Sequence, residues 1–293
     1  MKIGTNVEIA LEEAIKNTQK IAIEPHSPQE DALNITVQPH RHFSTEEIII
    51  ATNCYDGNRI VVYDGGYRLY KDSLKDRLIF VKKYDSNYPL GLKYYAYKDI
   101  VIGSQMSGYK NVLKVLGCCL ETQNPSVVYE FACKSLSRSL SATNVKPVLP
   151  WKCSIMLDHN NVPKLIDFGL GISLPQGQAH VEDAVIGRIG LSAPEYVTTG
   201  YLTEKADVYL FGMLLLELLG GRKLAIVERN ILDTDEKHCV EIFSNFVDPR
   251  MSIEAEQLMV VATPILRCTC VDGEKRPTMM EVAKQLKVIL KSC

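Results

Sequence analysis

A helix that is apolar on nearly every face persists in water only when other parts of the chain surround it, and Asp207–Leu219 spell such a helix. Val208, Leu210, Phe211, Met213, Leu214, Leu215, Leu216 and Leu218 leave no polar stripe. Its densest part, Met213–Leu219, is broken by Glu217 and is far too short to span a bilayer. This helix therefore belongs at the centre of a globular core. The 293-residue chain can build one, as a single large domain or two moderate ones, because 46% hydrophobic and 23% charged residues are ordinary for a globular protein.

The rest of the chain divides into a strand-rich first half and a mainly helical second half. Thr5 and Glu8 form a capping box for a short amphipathic helix to about Ile21, and the aperiodic residues 22–42 read as a linker. Phe43–Ile48 open a second helix, with Ser44 and Glu47 as its capping box, which ends near Ala51–Asn53. Arg59–Tyr63, Tyr67–Lys71 and Arg77–Lys82 read as strands, the first two joined by a hairpin turn at Asp64-Gly65-Gly66. Residues 92–106 are expected to be helical, and Val112–Cys119 and Ser126–Phe131 to be strands. Near the C-terminus Thr278 and Glu281 cap a helix whose apolar stripe is Val282, Leu286, Ile289 and Leu290.

A net charge of −2 gives no reason to expect nucleic acid or an anionic membrane as a partner. Nine cysteines, an odd number without zinc-site spacing, read as free thiols of a reducing compartment, and no metal site is expected. The first residues lack an apolar signal core and position 2 is Lys, so neither secretion nor myristoylation is expected. Asn34-Ile35-Thr36 matches a glycosylation sequon by chance. The expected location is cytoplasmic, with recruitment to the inner face of the plasma membrane through a partner left open.

Between these halves lies Trp151–Gly169, WKCSIMLDHNNVPKLIDFG. Its end reads as a buried strand running into Asp167-Phe168-Gly169, the motif whose Asp holds Mg²⁺ against ATP phosphates in protein kinases. Further motifs follow in kinase order: Val81-Lys82-Lys83, Leu116–Glu121, Val128–Phe131, Ala193–Tyr196, Gly200–Lys205, Asp207–Tyr209 and Arg276–Thr278. From Phe43 onward the chain resembles plant receptor-like kinases of the wall-associated type, and within them the cytoplasmic ZRK pseudokinases. The resemblance implies an α+β, two-lobed kinase-like fold: a terminal segment 1–42, a small β-rich lobe over 43–131 and a helical lobe over 132–293. It places a hinge at Tyr129, Glu130 and Phe131.

Catalysis has to be argued site by site. Val62, Asp64 and Tyr67 stand where the family's phosphate loop has its three glycines, so backbone can no longer approach the phosphates. An inward Asp64 would repel ATP by about 1–3 kcal/mol; as a plain hairpin turn it would equally fail to cradle phosphate. Lys82 takes the position of the phosphate-gripping lysine, and Lys98-Asp99-Ile100 puts Asp99 where its Glu partner would stand, one methylene shorter. That pair forms if the helix moves inward, and a structural salt bridge without nucleotide is an equal reading. No His-Arg-Asp exists in the chain: Trp151-Lys152 joins directly to Cys153–Asp158, so the helix, base Asp, Lys and metal-binding Asn of the catalytic loop are missing. Ser154 stands for the Asn. A lost general base alone costs roughly 10²–10⁴ in rate. Asp158 belongs to a strand turn, not to a replacement base. Arg188 replaces the activation-segment Thr, Glu195 is expected to pair with Arg276, and Asp207 would lose the loop it caps, leaving it unpaired or hydrated.

Lys82, Asp99, Asp167 and Gly169 thus read as a vestigial ATP/Mg site, with no cofactor required and weak Mg·ATP binding left open. The resemblance implies an inactive adaptor of plant innate immunity, bridging a nucleotide-binding leucine-rich-repeat receptor (NLR) and a receptor-like cytoplasmic kinase. Two alternatives stand beside it: an active Ser/Thr kinase whose message includes a further exon at Trp151–Cys153, and a nonfunctional fragment. The missing helix would also bare several Leu side chains at 208–219, each worth about 1.5–3 kcal/mol when buried. Residues 132–150, the N-terminal helix or a partner would have to cover them.

Overall fold

The computed structural model describes residues 41–64, 66–85, 92–122, 124–136, 155–172, 174, 177–182, 192–221, 239–250 and 254–292. The N-terminal helix, most of the linker, Trp151–Ser154, Arg188 and most of 132–150 lie outside them. The chain divides into two compact units, one containing residues up to 139 together with 147–172, the other 140–146 together with 173–293.

The first unit is built on a six-stranded sheet, in the order β1 (Arg41–His42), β5 (Val115–Cys119), β6 (Ser126–Glu130), β4 (Arg77–Tyr84), β3 (Tyr67–Leu74), β2 (Ile60–Asp64). All neighbours are antiparallel except β1 and β5. The last two residues of the expected linker are therefore a strand: Arg41 and His42 pair with Gly117 and Cys118, satisfying the free edge of β5. β3 and β4 run further than expected, to Leu74 and Tyr84, because their ladder stays in register throughout. β5 starts at Val115 rather than Val112, which makes a lone parallel bridge to Leu165.

Alternation sends the two sides of the sheet to different partners. On one side Tyr70, Ile79, Val81, Val128 and Cys119 pack with Phe43, Ile48 and Ala51. The last two belong to helix α1 (Thr45–Ala51), whose start is fixed by Ser44 and Glu47 bonding each other's backbone N–H at 3.1 Å. The other side carries Val62, Tyr67, Leu69, Phe80, Tyr84, Val127 and Tyr129. It packs on Ala96 and Ile100 of helix α2 (Leu92–Met106) and on Met156 and Ile166.

A second, three-stranded sheet joins β7 (Lys134–Ser135), β8 (Ile155–Leu157) and β9 (Pro163–Leu165). The expected buried strand into Asp167 is a correction: Leu165 is 45% exposed, and only Ile166 is buried. The backbone of Leu165 bonds Asn111 and Leu113, which leaves its side chain pointing to the surface while Ile166 takes the core side.

The second unit is helical: α3 (Pro194–Thr199), α4 (Glu204–Gly220), α5 (Cys239–Phe246), α6 (Ala255–Cys268) and α7 (Met279–Ser292), with a two-stranded ribbon of β10 (Val181–Glu182) and β11 (Tyr201–Leu202). In α4 no residue from 208 to 219 is exposed, although Leu210, Phe211, Leu215 and Leu218 are only half-buried. Val208 packs with Cys268 and Val282, joined by Phe211 and Leu286. Thr278 and Glu281 cap α7 through Glu281 Oε2, which accepts from the Thr278 backbone N–H at 2.7 Å. No helix among the described residues is long and apolar enough to cross a membrane.

Candidate functional site

Three neighbouring strands place side chains in one row on the α2 side of the sheet: Val62 lies opposite Leu69, and Leu69 opposite Lys82. Lys82 is wholly buried. Its ammonium lies 2.7 Å from Asp99 Oδ2 and forms a second ion pair with Asp167 Oδ1. The ring of Tyr67 sits 4.0 Å from Nζ and that of Tyr84 4.6 Å away. Tyr67 beside Asp167 also lowers its carboxyl.

Asp99 is the hub of the site. Oδ2 accepts from Lys82, from the Tyr84 hydroxyl at 2.8 Å and from the Tyr129 hydroxyl at 2.7 Å, while Oδ1 accepts from the Phe168 backbone N–H at 2.7 Å. A fully buried carboxylate is stable only with its lone pairs met in this way. Two phenols and one amide thus complete a network around an acid one methylene shorter than the family's. Burial, then Asp99, pushes both tyrosine hydroxyls well above their ordinary values, so they remain neutral donors.

Burial pushes the Lys82 ammonium down, but Asp167 and Asp99 together outweigh it and leave it above its ordinary value. For Asp167 burial raises the carboxyl, Lys82 lowers it and Asp99 raises it again; the net direction is up. Asp167 has a positive φ of 74°, a conformation that Asp tolerates better than most residues. Gly169 is held against α2: a Cβ there would lie 2.9 Å from the Tyr95 carbonyl oxygen.

The remaining sequence-derived residues fall into distinct surroundings. Asp64 pairs with Tyr67 across a two-residue hairpin reversal. Val62 and Tyr67 are core residues, 5% and 6% exposed. Of the expected hinge, Tyr129 is wholly buried, Glu130 Oε1 accepts from the Lys114 N–H at 3.2 Å, and the Phe131 ring packs at a tilt against Phe80, centroids 5.2 Å apart. Asp158 Oδ1 accepts from the backbone N–H groups of Val162 and Asn160, which hold its carboxyl below the ordinary value and fix it in the β8–β9 turn. In the second unit Arg276, 2% exposed, grips Glu195 through two bonds of 2.7 Å, bonds the carbonyls of Cys270, Lys205 and Val271, and covers the Tyr209 ring. Asp207 is exposed in the first turn of α4.

Sequence reasoning missed Tyr84, Tyr129 as a hydrogen-bond donor, and Phe80. The signal for Phe80 was available: the family writes V-A-I-K before this lysine, and the chain writes Ile79-Phe80-Val81-Lys82. Phe80 replaces the small Ala and points to the same side of the sheet as Lys82.

A lysine on the third strand of a hairpin sheet, paired to an acid on the following helix and to the Asp of an Asp-Phe-Gly turn, defines a protein-kinase-type site. The protein kinase domain family matches residues 152–286. The chain is 31% identical to the "Non-functional pseudokinase ZED1" of Arabidopsis thaliana, over 86% of this chain and 90% of that protein. It is 30% identical to the "Serine/threonine-protein kinase ZRK1" of the same plant, over 86% of each chain. Against "Wall-associated receptor kinase 4" it is 31% identical, over 84% of this chain and 39% of that one. The chain belongs to the protein kinase superfamily, in the plant receptor-like group that includes these ZRK-type and wall-associated proteins.

Kinases of this superfamily hold Mg·ATP between a glycine-rich loop and the strand lysine. The residues present do not fit that group. The Tyr67 ring lies against the ammonium, and Val62 and Phe80 are part of the hydrophobic core beside it.

Proposed function

We propose that the chain is a catalytically inactive kinase-like adaptor of plant innate immunity, bridging an NLR-type receptor and a receptor-like cytoplasmic kinase. The observation that carries the inactive half is Tyr67, which stands at a phosphate-loop glycine position and lays its ring 4.0 Å from the Lys82 ammonium. The sequence adds the missing His-Arg-Asp, and Asp158 is engaged in its turn. Without a general base, a second metal ligand and a positioned hydroxyl, phosphoryl transfer lacks most of its electrostatic and positional support. Likeness to a relative named a non-functional pseudokinase over nearly its whole length supports the inactive half as well, and the adaptor half rests on what the family resemblance implies. A cytoplasmic location, with recruitment to the plasma membrane through the receptor, goes with that half.

Radiolabelled Mg·ATP offered to the purified chain with a generic protein substrate should give no phosphotransfer. Transfer that Asp167→Ala abolishes would refute the inactive reading. Affinity purification from plant tissue should recover an NLR and a receptor-like cytoplasmic kinase in one complex; recovery of neither removes the adaptor role. The preserved Lys82–Asp99 pair and the relative named a Ser/Thr kinase favour a second reading, an active enzyme from a longer message. Transcript sequencing across Trp151–Cys153 separates the two, since restoration of His-Arg-Asp supports only the second.

A further inference from the structure

On the reading of the site as one that takes no nucleotide, we propose that Tyr67 is the residue that excludes polyphosphate, its side chain acting as an internal occupant of the place where phosphate would meet Lys82. An ammonium has three N–H donors and no acceptor. Two of those on Lys82 go to Asp99 and Asp167, and two aromatic rings also lie against Nζ, with centroids 4.0 Å (Tyr67) and 4.6 Å (Tyr84) away, Tyr67 the nearer. A phosphate oxygen would need to come within about 2.9 Å of the same nitrogen to form a charge-assisted bond. Ring and phosphate therefore compete for one position.

The ring is also fixed there. Tyr67 begins β3, directly opposite Tyr84 and next to Asp64 across the hairpin. It is 6% exposed, and its ring lies 6.1 Å from that of Tyr84. A desolvated cation against an aromatic face is a favourable contact in its own right. Swinging the side chain out would break that contact and expose a large apolar ring. The residue thus does more than fail to be glycine: it holds the phosphate position closed while keeping Lys82 matched.

Tyr67→Gly and Tyr67→Phe separate these effects, with Mg·tripolyphosphate as the titrated probe, because it tests the phosphate position without needing room for a base beside Phe80. Binding is read by calorimetry and by thermal shift. Wild type and Tyr67→Phe, which keeps the ring, should show no saturable binding, whereas Tyr67→Gly should bind at least about tenfold more tightly. Equal binding by wild type and Tyr67→Gly, or a folded Tyr67→Gly that binds no better, overturns the proposal. Phosphotransfer by wild type, in contrast, overturns the inactive reading whatever Tyr67→Gly does. Where Tyr67→Gly does not fold, acylation of the native wild-type chain, mapped by mass spectrometry, decides. Lys82 should label at least about tenfold more slowly than exposed Lys75, and faster in Tyr67→Ala; labelling of Lys82 as fast as Lys75 overturns the assignment.

Discussion

Lys82→Met should destabilise the first unit, not merely alter a ligand site. Methionine nearly preserves the length and volume of the side chain, so the cavity contribution is small. What changes is charge: Asp99 and Asp167 would share a buried site with no cation between them. Removing one partner of a buried ion pair costs about 3–5 kcal/mol. An independent bound comes from the escape route, protonation of one carboxylate. From an ordinary value near 3.9 this costs about 4 kcal/mol at pH 7 and about 1.5 kcal/mol at pH 5. The two figures agree at neutral pH, and the second adds a pH signature. In the variant the folded state takes up a proton, so its carboxyl value is raised above the unfolded one. Stability is then present at low pH and lost as pH rises. At about 2–4 °C per kcal/mol, the melting midpoint should fall by about 8–16 °C at pH 7, and by less than half of that at pH 5. Differential scanning calorimetry of both proteins at both pH values measures this. A loss of under about 2 °C at pH 7, or a loss independent of pH, would refute the reasoning that Lys82 is a structural cation.

Arg276→Ala should cost about 3–5 kcal/mol in urea unfolding, since it strands Glu195 and three carbonyls; Arg276→Lys should recover only part, because an ammonium cannot reproduce the planar fork. Gly221→Ala should destabilise by more than the about 1–2 kcal/mol of a left-handed residue, because φ is +59° and the new Cβ would displace the Asp248 side chain; an unchanged urea midpoint would refute it. Tyr84 and Tyr129 carry values raised well above 10.0, so their contribution is complete below the unfolded value and is lost as pH rises beyond it. Ultraviolet titration of Tyr129→Phe should show one tyrosine fewer ionising only with unfolding than in wild type.

Local signals were legible because their physics is local. The Ser44–Glu47 and Thr278–Glu281 caps act across three residues, and the strands showed themselves by β-branched and aromatic content around a turn sequence. The expected Glu195–Arg276 partnership came from resemblance, across a separation of 81 positions, not from spacing. The hub at Asp99 could not be read off the chain by spacing. Its partners lie 15, 17, 30 and 69 residues away, and each looks unremarkable beside its own neighbours. Tyr67 was legible as a lost glycine, but not as a ring against Lys82, because that depends on the register of β3 with β4. Leu165 was misjudged because an apolar run does not state which of its residues faces the core.

Val62, Tyr67 and Phe80 are members of one hydrophobic core, and on the inactive reading they are also the obstacles at its phosphate site. That double membership gives the site a direction in evolutionary time. Large-to-small changes of a buried aromatic cost about 3–5 kcal/mol, against a total stability of about 5–15 kcal/mol. Each single step back towards glycine or alanine would weaken the fold before the other two had made room for nucleotide. On the inactive reading proposed above, a chain that has packed its ligand site with its own side chains has no gradual path of return.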